Sequence, residues 1–225
     1  MFAKTAQVQR PLKWAGTLLF FAGAVILMGI ITAEALYPGV YSTYGNEISD
    51  LGGTRPPNSV VLQPSAALFD GTMLLSGALI LISTVLIHRA LHRRMVTITL
   101  GLFGGAVFLI GVFPGNTSPH AMIAPIVFLA AGVVAIAARK ILTPPLRQIS
   151  VMLGSISLLS TVLAFFFIDW APVAELGDGG IERWIAYPAV LWLTTFGGYL
   201  MGYRTTTAAA SVGAASEREP ASVHS

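Results

Sequence analysis

Six apolar runs, each close to the length of a membrane helix, follow one another along the 225-residue chain. A helix needs about 20 apolar residues to cross the roughly 30 Å of hydrocarbon in a bilayer. Open sheet edges are excluded there, because unpaired backbone groups are costly without water. We therefore predict an all-α integral membrane protein, a bundle of six transmembrane helices. The predicted spans are residues 14–33, 65–87, 95–113, 119–138, 149–168 and 183–203.

The composition agrees with this class and excludes several others. Hydrophobic residues make up 55% of the chain and charged residues only 10%, whereas soluble proteins average about 25% charged residues. The net charge of +3 is too small and too dispersed to indicate a nucleic-acid partner. Without cysteine the chain has no disulfide, no thiolate metal ligand and no cysteine nucleophile. The expected partner is the lipid bilayer.

Basic residues predict the orientation of the six helices. All but two of them fall on one side of the predicted bundle, and only Arg55 and Arg183 fall on the other. The positive-inside rule places the basic side, and with it both termini, in the cytoplasm of a cell-membrane protein. The basic residues on that side are Lys4, Arg10, Lys13, Arg89, Arg93, Arg94, Arg139, Lys140, Arg147, Arg204 and Arg218.

The two ends of the chain carry separate predictions. The first apolar run mimics a signal peptide, with Ala33-Glu34-Ala35 as a cleavage site. A signal core spans about 7–15 residues, and this run is longer, so we favour a retained first helix. From Thr205 onward the apolar residues do not recur with the period of a helix or a strand. We expect a membrane domain over residues 1–204 and a disordered cytoplasmic tail over residues 205–225.

Small residues predict how the helices pack. Gly101 with Gly105, and Gly198 with Gly202, lie four residues apart on single helices. Such pairs let two helix backbones approach closely inside a membrane. Gly16, Gly23, Ala131 and Gly132 suit the same use. We interpret all of these residues as packing positions within the bundle.

The outer polar loop, residues 34–64, joins the first two predicted helices and is rich in polar side chains between Tyr37 and Gly53. Tyr37, Tyr41 and Tyr44 have the spacing of one face of a short helix, which suits a tyrosine belt at the membrane interface. The sequence that follows, Asn46-Glu47-Ile48-Ser49-Asp50-Leu51-Gly52, suits one amphipathic turn ended by glycine.

Acidic residues are also distributed unevenly. Only Glu217 and Glu219 fall on the cytoplasmic side, in the tail. Acids contribute little to membrane orientation, so topology does not account for the clustering. We interpret it as the sign of an outward-facing polar site. The acids on the outer side are Glu34, Glu47, Asp50, Asp70, Asp169, Glu175, Asp178 and Glu182.

Asp70 is surrounded by apolar residues in the second predicted span. If that helix starts near Pro64, Asp70 lies about 9 Å along it. A carboxylate at that depth costs on the order of 2–3 kcal/mol, so it should face a partner or a wet cavity. It is either a ligand or proton carrier of a site, or an acid bonded to a neighbouring helix or favoured by the helix dipole.

His120 and the pair Glu182-Arg183 begin two of the other predicted helices. His120 is the one histidine on the outer side. It can serve as a general base or metal ligand, or as a hydrogen-bonded interface residue. Glu182-Arg183 is either a local interfacial anchor or a site in which the arginine holds a lipid phosphate or pairs with Asp70 or Asp50.

We expect these residues to meet the polar loop at the outer mouth of the bundle. Asp50, His120 and Glu182 are the candidate catalytic residues. The candidate binding residues are Tyr41, Asn46, Ser49, Asp70 and Arg183.

The order of these residues resembles domain of unknown function 998, over residues 14–203. The resemblance implies a bacterial or archaeal integral membrane protein with a similar number of helices, and it implies no activity, because that family is uncharacterised. The residues that carry it are Tyr41, Asn46-Glu47-Ile48-Ser49-Asp50-Leu51-Gly52, Phe69-Asp70-Gly71, Gly111-Val112-Phe113-Pro114 with His120, and Ile181-Glu182-Arg183.

Three functions remain open at this point. The first is a lipid- or envelope-directed enzyme that uses its carboxylates and histidine for acid–base or metal chemistry, or Ser49 as a nucleophile. The second is a binding or transport module for a lipid headgroup or small ligand, for which acids beside aromatic residues suit a cation. The third is a structural membrane protein whose polar cluster pins the loop. The sequence identifies neither a cofactor nor a metal.

Overall fold

The structure, a computed structural model, describes residues 2–203, with side chains from residue 8 onward. This range is helical and contains no β-strand. The predicted tail, residues 205–225, lies outside the described residues. The helices are α1 (Phe2–Ala35), α2 (Ser65–Leu91), α3 (Arg94–Val112), α4 (His120–Ala137), α5 (Leu146–Phe166), α6 (Ala171–Ala174) and α7 (Gly177–Met201), with short 3-10 helices at Ile48–Leu51 and Ala138–Lys140.

The helices have the composition of membrane spans. Within the described residues, α1 to α5 are long and apolar enough to cross a bilayer. Large apolar side chains such as Phe21, Leu75, Leu102 and Leu159 stand exposed on their outward faces, where lipid is the natural solvent. The predicted all-α membrane fold is therefore confirmed. The seventh helix is also long, but polar, glycine and proline residues interrupt its apolar sequence.

The six long helices form a closed ring. Each helix from α1 to α5 packs against the next, α5 packs against α7, and α7 returns to α1. The fourth and seventh helices also touch across the ring. We call one end of this bundle the loop end: it carries the connecting segments 36–64, 113–119 and 167–176. The opposite end, which carries the turns 92–93 and 138–145, is called the basic end.

Glycines mark the closest helix crossings. A Cβ on Gly16 of α1 would lie 2.5 Å from the carbonyl oxygen of Gly197 on α7. A Cβ on Gly132 of α4 would lie 2.8 Å from the carbonyl oxygen of Gly154 on α5. Lipid tails are as apolar as the helices, so helix association in a membrane depends on such close packing. The contact at Gly16 also puts the middle of α1 beside the end of α7.

The expectation that Gly105 and Gly198 mediate packing is wrong. A Cβ at either position would meet nothing within 4 Å, because both glycines point away from neighbouring helices. The adjacent Gly104 and Gly197 make the crossings instead. The four-residue spacing is therefore present in both helices without making a close crossing: a Cβ on Gly101 would be in ordinary contact with Thr84 of α2 at 3.6 Å, and one on Gly105 would meet nothing.

A buried polar network joins three helices of the ring. Ser150 of α5 donates a hydrogen bond to the carbonyl oxygen of Ala135 on α4 at 2.6 Å. The same hydroxyl accepts a hydrogen bond from the indole N–H of Trp192 on α7 at 2.8 Å. Because every donor here has an acceptor, a bulky tryptophan can lie in the core without an unsatisfied polar atom.

The helices α1 and α7 begin well before their apolar runs. The first begins at Phe2 rather than near Trp14, and it continues through Pro11. The last begins at Gly177 rather than at Arg183. Its glycine-rich first turn has a specific role in contacting the polar loop.

Candidate functional site

The polar loop, taken here as residues 36–64, folds onto the first turn of α7. Gly179 donates its backbone N–H to the Tyr44 carbonyl oxygen at 3.0 Å. A Cβ on Gly179 would overlap the Asn46 carbonyl oxygen. Gly177 adopts a left-handed φ of 68° beside Tyr44. Glycine at these two positions lets the two backbones touch. The glycine-rich first turn of α7 is therefore the surface on which the polar loop packs.

Arg183, one turn further along α7, holds the loop through both of its terminal nitrogens. Nη2 donates to Glu34 Oε1 at 2.5 Å and to the Tyr41 hydroxyl at 2.9 Å. Only 11% of the Arg183 side chain and 19% of the Glu34 side chain are exposed. We call Arg183 and its partners the loop clamp. The partners of Nη1 are the carbonyl oxygens of Thr43 at 3.1 Å, Asn46 at 3.0 Å and Gly179 at 2.8 Å.

The loop clamp decides between the alternatives for Arg183. Its carboxylate partner is Glu34, at the end of α1, and not Asp50 or Asp70. Glu182, its neighbour in sequence, bonds elsewhere. With both terminal nitrogens engaged inside the protein, the guanidinium fork is already occupied by acceptors. Arg183 therefore ties α1, the loop and α7 together.

Tyr41 extends the clamp within the loop. Its hydroxyl accepts from Arg183 and donates to the Glu47 carbonyl oxygen at 3.0 Å. Burial raises the pKa of Tyr41, while Arg183 acts in the opposite direction, so the hydroxyl keeps the proton that it donates. The expected short tyrosine helix is wrong: residues 37–45 form bends, turns and irregular backbone. Gly39 contributes to this, because glycine loses the most conformational freedom in a helix.

The amphipathic turn predicted over residues 46–52 is confirmed as the 3-10 helix Ile48–Leu51, which ends at Gly52. Ile48 and Leu51 are buried in the core. The Ile48 backbone N–H donates to Glu182 Oε2. Glu182, itself 9% exposed, therefore tethers the start of this short helix to α7.

Asn46 and Asp50 make their hydrogen bonds inside the loop. Asn46 Oδ1 accepts from the Ser42 N–H at 3.0 Å, and its Nδ2 donates to Asp50 Oδ2 at 3.2 Å. The same Asp50 oxygen accepts from the Glu47 N–H at 3.1 Å. These two candidate site residues thus shape the loop backbone around the clamp.

Asp70 lies apart from the clamp, under the 3-10 helix. A Cβ on Gly52 would lie 2.6 Å from Asp70 Oδ1. That oxygen is buried and has no hydrogen-bond partner among the described residues. The backbone of Asp70 packs against Gly111 of α3. Its contacts are those of a packing position between α2, α3 and the loop.

His120, the first residue of α4, is buried at the loop end. Its Nδ1 lies 2.8 Å from the Phe113 carbonyl oxygen. A carbonyl only accepts, so Nδ1 carries a proton and Nε2 is the acceptor of the neutral ring. His120 lines a core cavity of about 90 Å³ together with Ser49 and apolar residues of α1, α2, α3, α4 and α7.

A larger cleft opens between α4, α5 and α7 at the loop end. It consists of two cavities of about 300 and 490 Å³ that share Arg55, Phe128 and Phe165. The smaller cavity has Glu47, Asp178 and Glu182 in its wall, with apolar side chains of α5 and α7. The larger cavity has His120, Thr117 and Ser118 in its wall, with residues of the first turns of α4. We call the two cavities together the loop-end cleft.

Carboxylates outnumber basic groups in the loop-end cleft. Arg55 pairs with Glu47 at 2.5 Å, with 71% of the arginine side chain but only 19% of the glutamate side chain exposed. Burial raises the pKa of Glu47, and Arg55 acts in the opposite direction. Asp178 is exposed, and Glu182 is held by Ile48. The cleft therefore presents an acidic wall beside two aromatic rings.

The structure separates the predicted site residues into groups. His120 and Glu182 line the loop-end cleft, and Ser49 lines the core cavity. The others build or support the loop: Tyr41, Asn46, Asp50 and Arg183 within it or around it, and Asp70 beneath it.

Three cleft residues, Glu47, Arg55 and Asp178, are absent from the candidate set drawn from the sequence. Each of them has a signal in the sequence. Glu47 and Asp178 belong to the outer acidic cluster, although nothing singles them out from its other members. Arg55 and Arg183 are the two arginines that the described residues place at this end of the bundle.

Across the side chains that the structure describes, no group of three histidine, aspartate or glutamate residues is arranged to hold a metal ion.

Removing the clamp arginine tests its structural role. We expect Arg183→Ala to lower the free energy of unfolding by about 3–5 kcal/mol, because it leaves Glu34 buried without its partner. Arg183→Lys should recover part of this loss, since lysine restores the charge but not the fork. Thermal unfolding of the purified protein in detergent measures both.

Arg55→Ala is the matched control for that experiment. The Glu34 and Glu47 side chains are equally exposed, but the Arg55 side chain is 71% exposed and donates to Glu47 alone, so the loss should be smaller, about 1 kcal/mol. Equal losses for Arg55→Ala and Arg183→Ala would contradict the assignment of the clamp.

Comparison with known proteins gives one family and no individual relative. No curated protein and no solved structure matches the chain. The model of a family described as protein of unknown function (DUF998) matches residues 8–199, most of the chain. This range includes all of the loop clamp and the loop-end cleft. The chain belongs to the DUF998 family.

Proposed function

We propose that this protein is a six-span cell-membrane protein that binds an amphiphile with a positively charged headgroup in its loop-end cleft. The observation that carries the proposal is the composition of the cleft: carboxylates and aromatic rings at the loop end, continuous with apolar walls of α4, α5 and α7.

Packing and charge support the topology. Although it is less apolar than the others, α7 is 25 residues long and closes the ring between α5 and α1, so we infer that it is the sixth span. Exposed Trp170 and Trp184 at the loop end suit a membrane interface. Basic residues concentrate at the opposite end, which by the positive-inside rule faces the cytoplasm with both termini.

Cysteine labelling tests this orientation, because the chain contains no cysteine of its own. Val40, 95% exposed in the polar loop, is the reporter for the loop end. Thr143, in a turn at the basic end, is the matched control. We expect a membrane-impermeant maleimide to label Val40→Cys in intact cells and Thr143→Cys only after permeabilisation. The reverse pattern would contradict the topology.

The dimensions of the cleft suit a small ligand or a lipid headgroup. Ligand sites typically enclose about 300–1,000 Å³ and have mostly apolar walls with a few polar groups that orient the ligand. The two cavities of the cleft, about 300 and 490 Å³, fall in this range. Their polar groups lie at the loop end. An amphiphile whose hydrocarbon chain runs along the helices would place its headgroup there.

The charges in the cleft favour a cation. Of the three carboxylates, only Glu47 has an arginine partner, and that arginine is mostly exposed. Phe128 and Phe165 line both cavities, and aromatic faces attract a cation within about 6 Å of the ring centre. An amine or quaternary ammonium group matches both features, whereas a phosphate group alone would meet an acidic wall.

Binding is the function that we put forward, because the shape and the charges of the cleft support it. Ser49 and His120 both line the core cavity, and no hydrogen bond joins them among the described residues. Glu182 already accepts a hydrogen bond from Ile48, and Asp50 bonds within the loop.

The proposal is tested with dodecyltrimethylammonium as the probe and the protein in nanodiscs. We expect saturable binding above that of empty nanodiscs. Asp178→Asn should weaken it about two- to fivefold, because an exposed ion pair contributes roughly 0.2–1 kcal/mol. The effect should shrink at high salt. Titration with radiolabelled probe measures the dissociation constant.

Asp169→Asn removes the same charge from an exposed position at the same end that does not line the cleft. It should leave the dissociation constant unchanged. If both variants weaken binding equally, the probe responds to the overall potential of this end, and the assignment of the cleft is wrong.

A further inference from the structure

The core cavity and the loop-end cleft are separated by a single wall. His120, Ala124 and Phe128 line the core cavity and also the larger cavity of the cleft. These residues are four apart on α4, so they form one stripe on one face of the helix. Phe128 and Ile185 also separate the core cavity from the smaller cavity of the cleft. Phe128 is thus the one residue that borders all three cavities.

The two sides of this wall differ in chemistry. The cleft has carboxylates, hydroxyl groups and Arg55 in its lining. Ser49 and His120 are the two polar residues that line the core cavity, and every other lining residue is apolar. Protein interiors are close-packed with few voids larger than a water molecule. An apolar void of this kind stays dry and takes up small apolar groups.

The wall is also weakly restrained at the level of the backbone. Pro125 lies inside α4, between Ala124 and Phe128, and lines the cleft. Proline lacks an N–H, so the carbonyl four residues earlier loses its helical partner, and the helix is easier to bend there. The Phe128 side chain itself is only partly buried. A small movement at this point would join the cleft to the core cavity.

We propose that Phe128 is a specificity-determining residue: the end of the ligand's hydrocarbon chain passes it into the core cavity, so Phe128 sets the chain length that the protein prefers. This inference rests on the proposed binding of an amphiphile in the loop-end cleft. The headgroup stays among the carboxylates, and the chain runs along α4. Phe128 stands where that path meets the core.

A series of alkyltrimethylammonium probes of increasing chain length tests the inference. Each methylene that becomes buried should tighten binding roughly fourfold. In the wild-type protein the chain should pass Phe128 and fill the core cavity. We expect the gain in affinity to stop at the chain length that fills this cavity. In Phe128→Ala the gain should continue for longer chains, with roughly tenfold tighter binding of the longest probes and little change for the shortest.

Ala131→Leu is the second variant, which keeps the inference testable if Phe128→Ala does not fold. Ala131 is buried and lines the core cavity but not the cleft. Its enlargement fills the cavity from the inside, so the gain in affinity should stop at a shorter chain. The dependence of binding on Asp178 should be unchanged, because the headgroup does not reach Ala131.

The outcomes separate the two proposals. If the wild-type protein binds no probe saturably, both proposals fail. If the probes bind and Asp178→Asn weakens them, but the chain-length profile is the same in wild type and in both folded variants, only the role of Phe128 is overturned. In that case the chain lies outside the bundle, in the bilayer.

Discussion

The ion pair between Arg183 and Glu34 joins the end of α1 to the start of α7, and the rest of the loop end is built around it. The same guanidinium group donates to the backbone of the polar loop at Thr43 and Asn46. A largely buried charge needs a partner, because an unpaired buried ion is strongly unfavourable. Glu34 supplies that partner from α1. The folded loop adds three further acceptors, the carbonyl oxygens of Thr43 and Asn46 and the Tyr41 hydroxyl.

The clamp has consequences for the cleft. With residues 43–46 held against α7, the 3-10 helix Ile48–Leu51 is positioned over the core, where Ile48 bonds Glu182. Glu47 then lies in the cleft wall and pairs with Arg55. The acidic wall is therefore made jointly by the loop, which supplies Glu47, and by the first turns of α7, which supply Asp178 and Glu182. The geometry of this wall depends on Arg183 and Glu34, which do not line the cleft. The residues that stabilise the site are therefore different from the residues that contact the ligand.

The physics of the bilayer made much of the fold predictable from the sequence. An apolar run near 20 residues has few alternatives to a helix, since backbone groups must be paired without water. The number and order of the long helices follow from that constraint alone. Which face of each helix packs does not follow. Gly104 and Gly105 are adjacent and chemically identical, yet only Gly104 meets another helix.

The candidate site was harder to predict, for a related reason. Arg183 and Glu34 are conspicuous in the sequence, but they are 149 residues apart and nothing local pairs them. Most acceptors of Arg183 are backbone carbonyl groups, which every residue carries and no sequence pattern marks. The sequence predicts Asp50 and Asn46 as site residues, and their hydrogen bonds lie within the loop. Glu47 and Asp178 belong to the outer acidic cluster in the sequence, but only the folded loop shows that these two acids and Glu182 line one cleft.

Arg183 holds the polar loop in one position against the bundle. Double electron–electron resonance in nanodiscs tests this role through the distance between spin labels at Val40→Cys, in the loop, and Met122→Cys, an exposed position near the start of α4. We expect a single narrow distance distribution that broadens when Arg183→Ala is added. A distribution that is broad in the otherwise wild-type protein, or equally narrow in both, would contradict it.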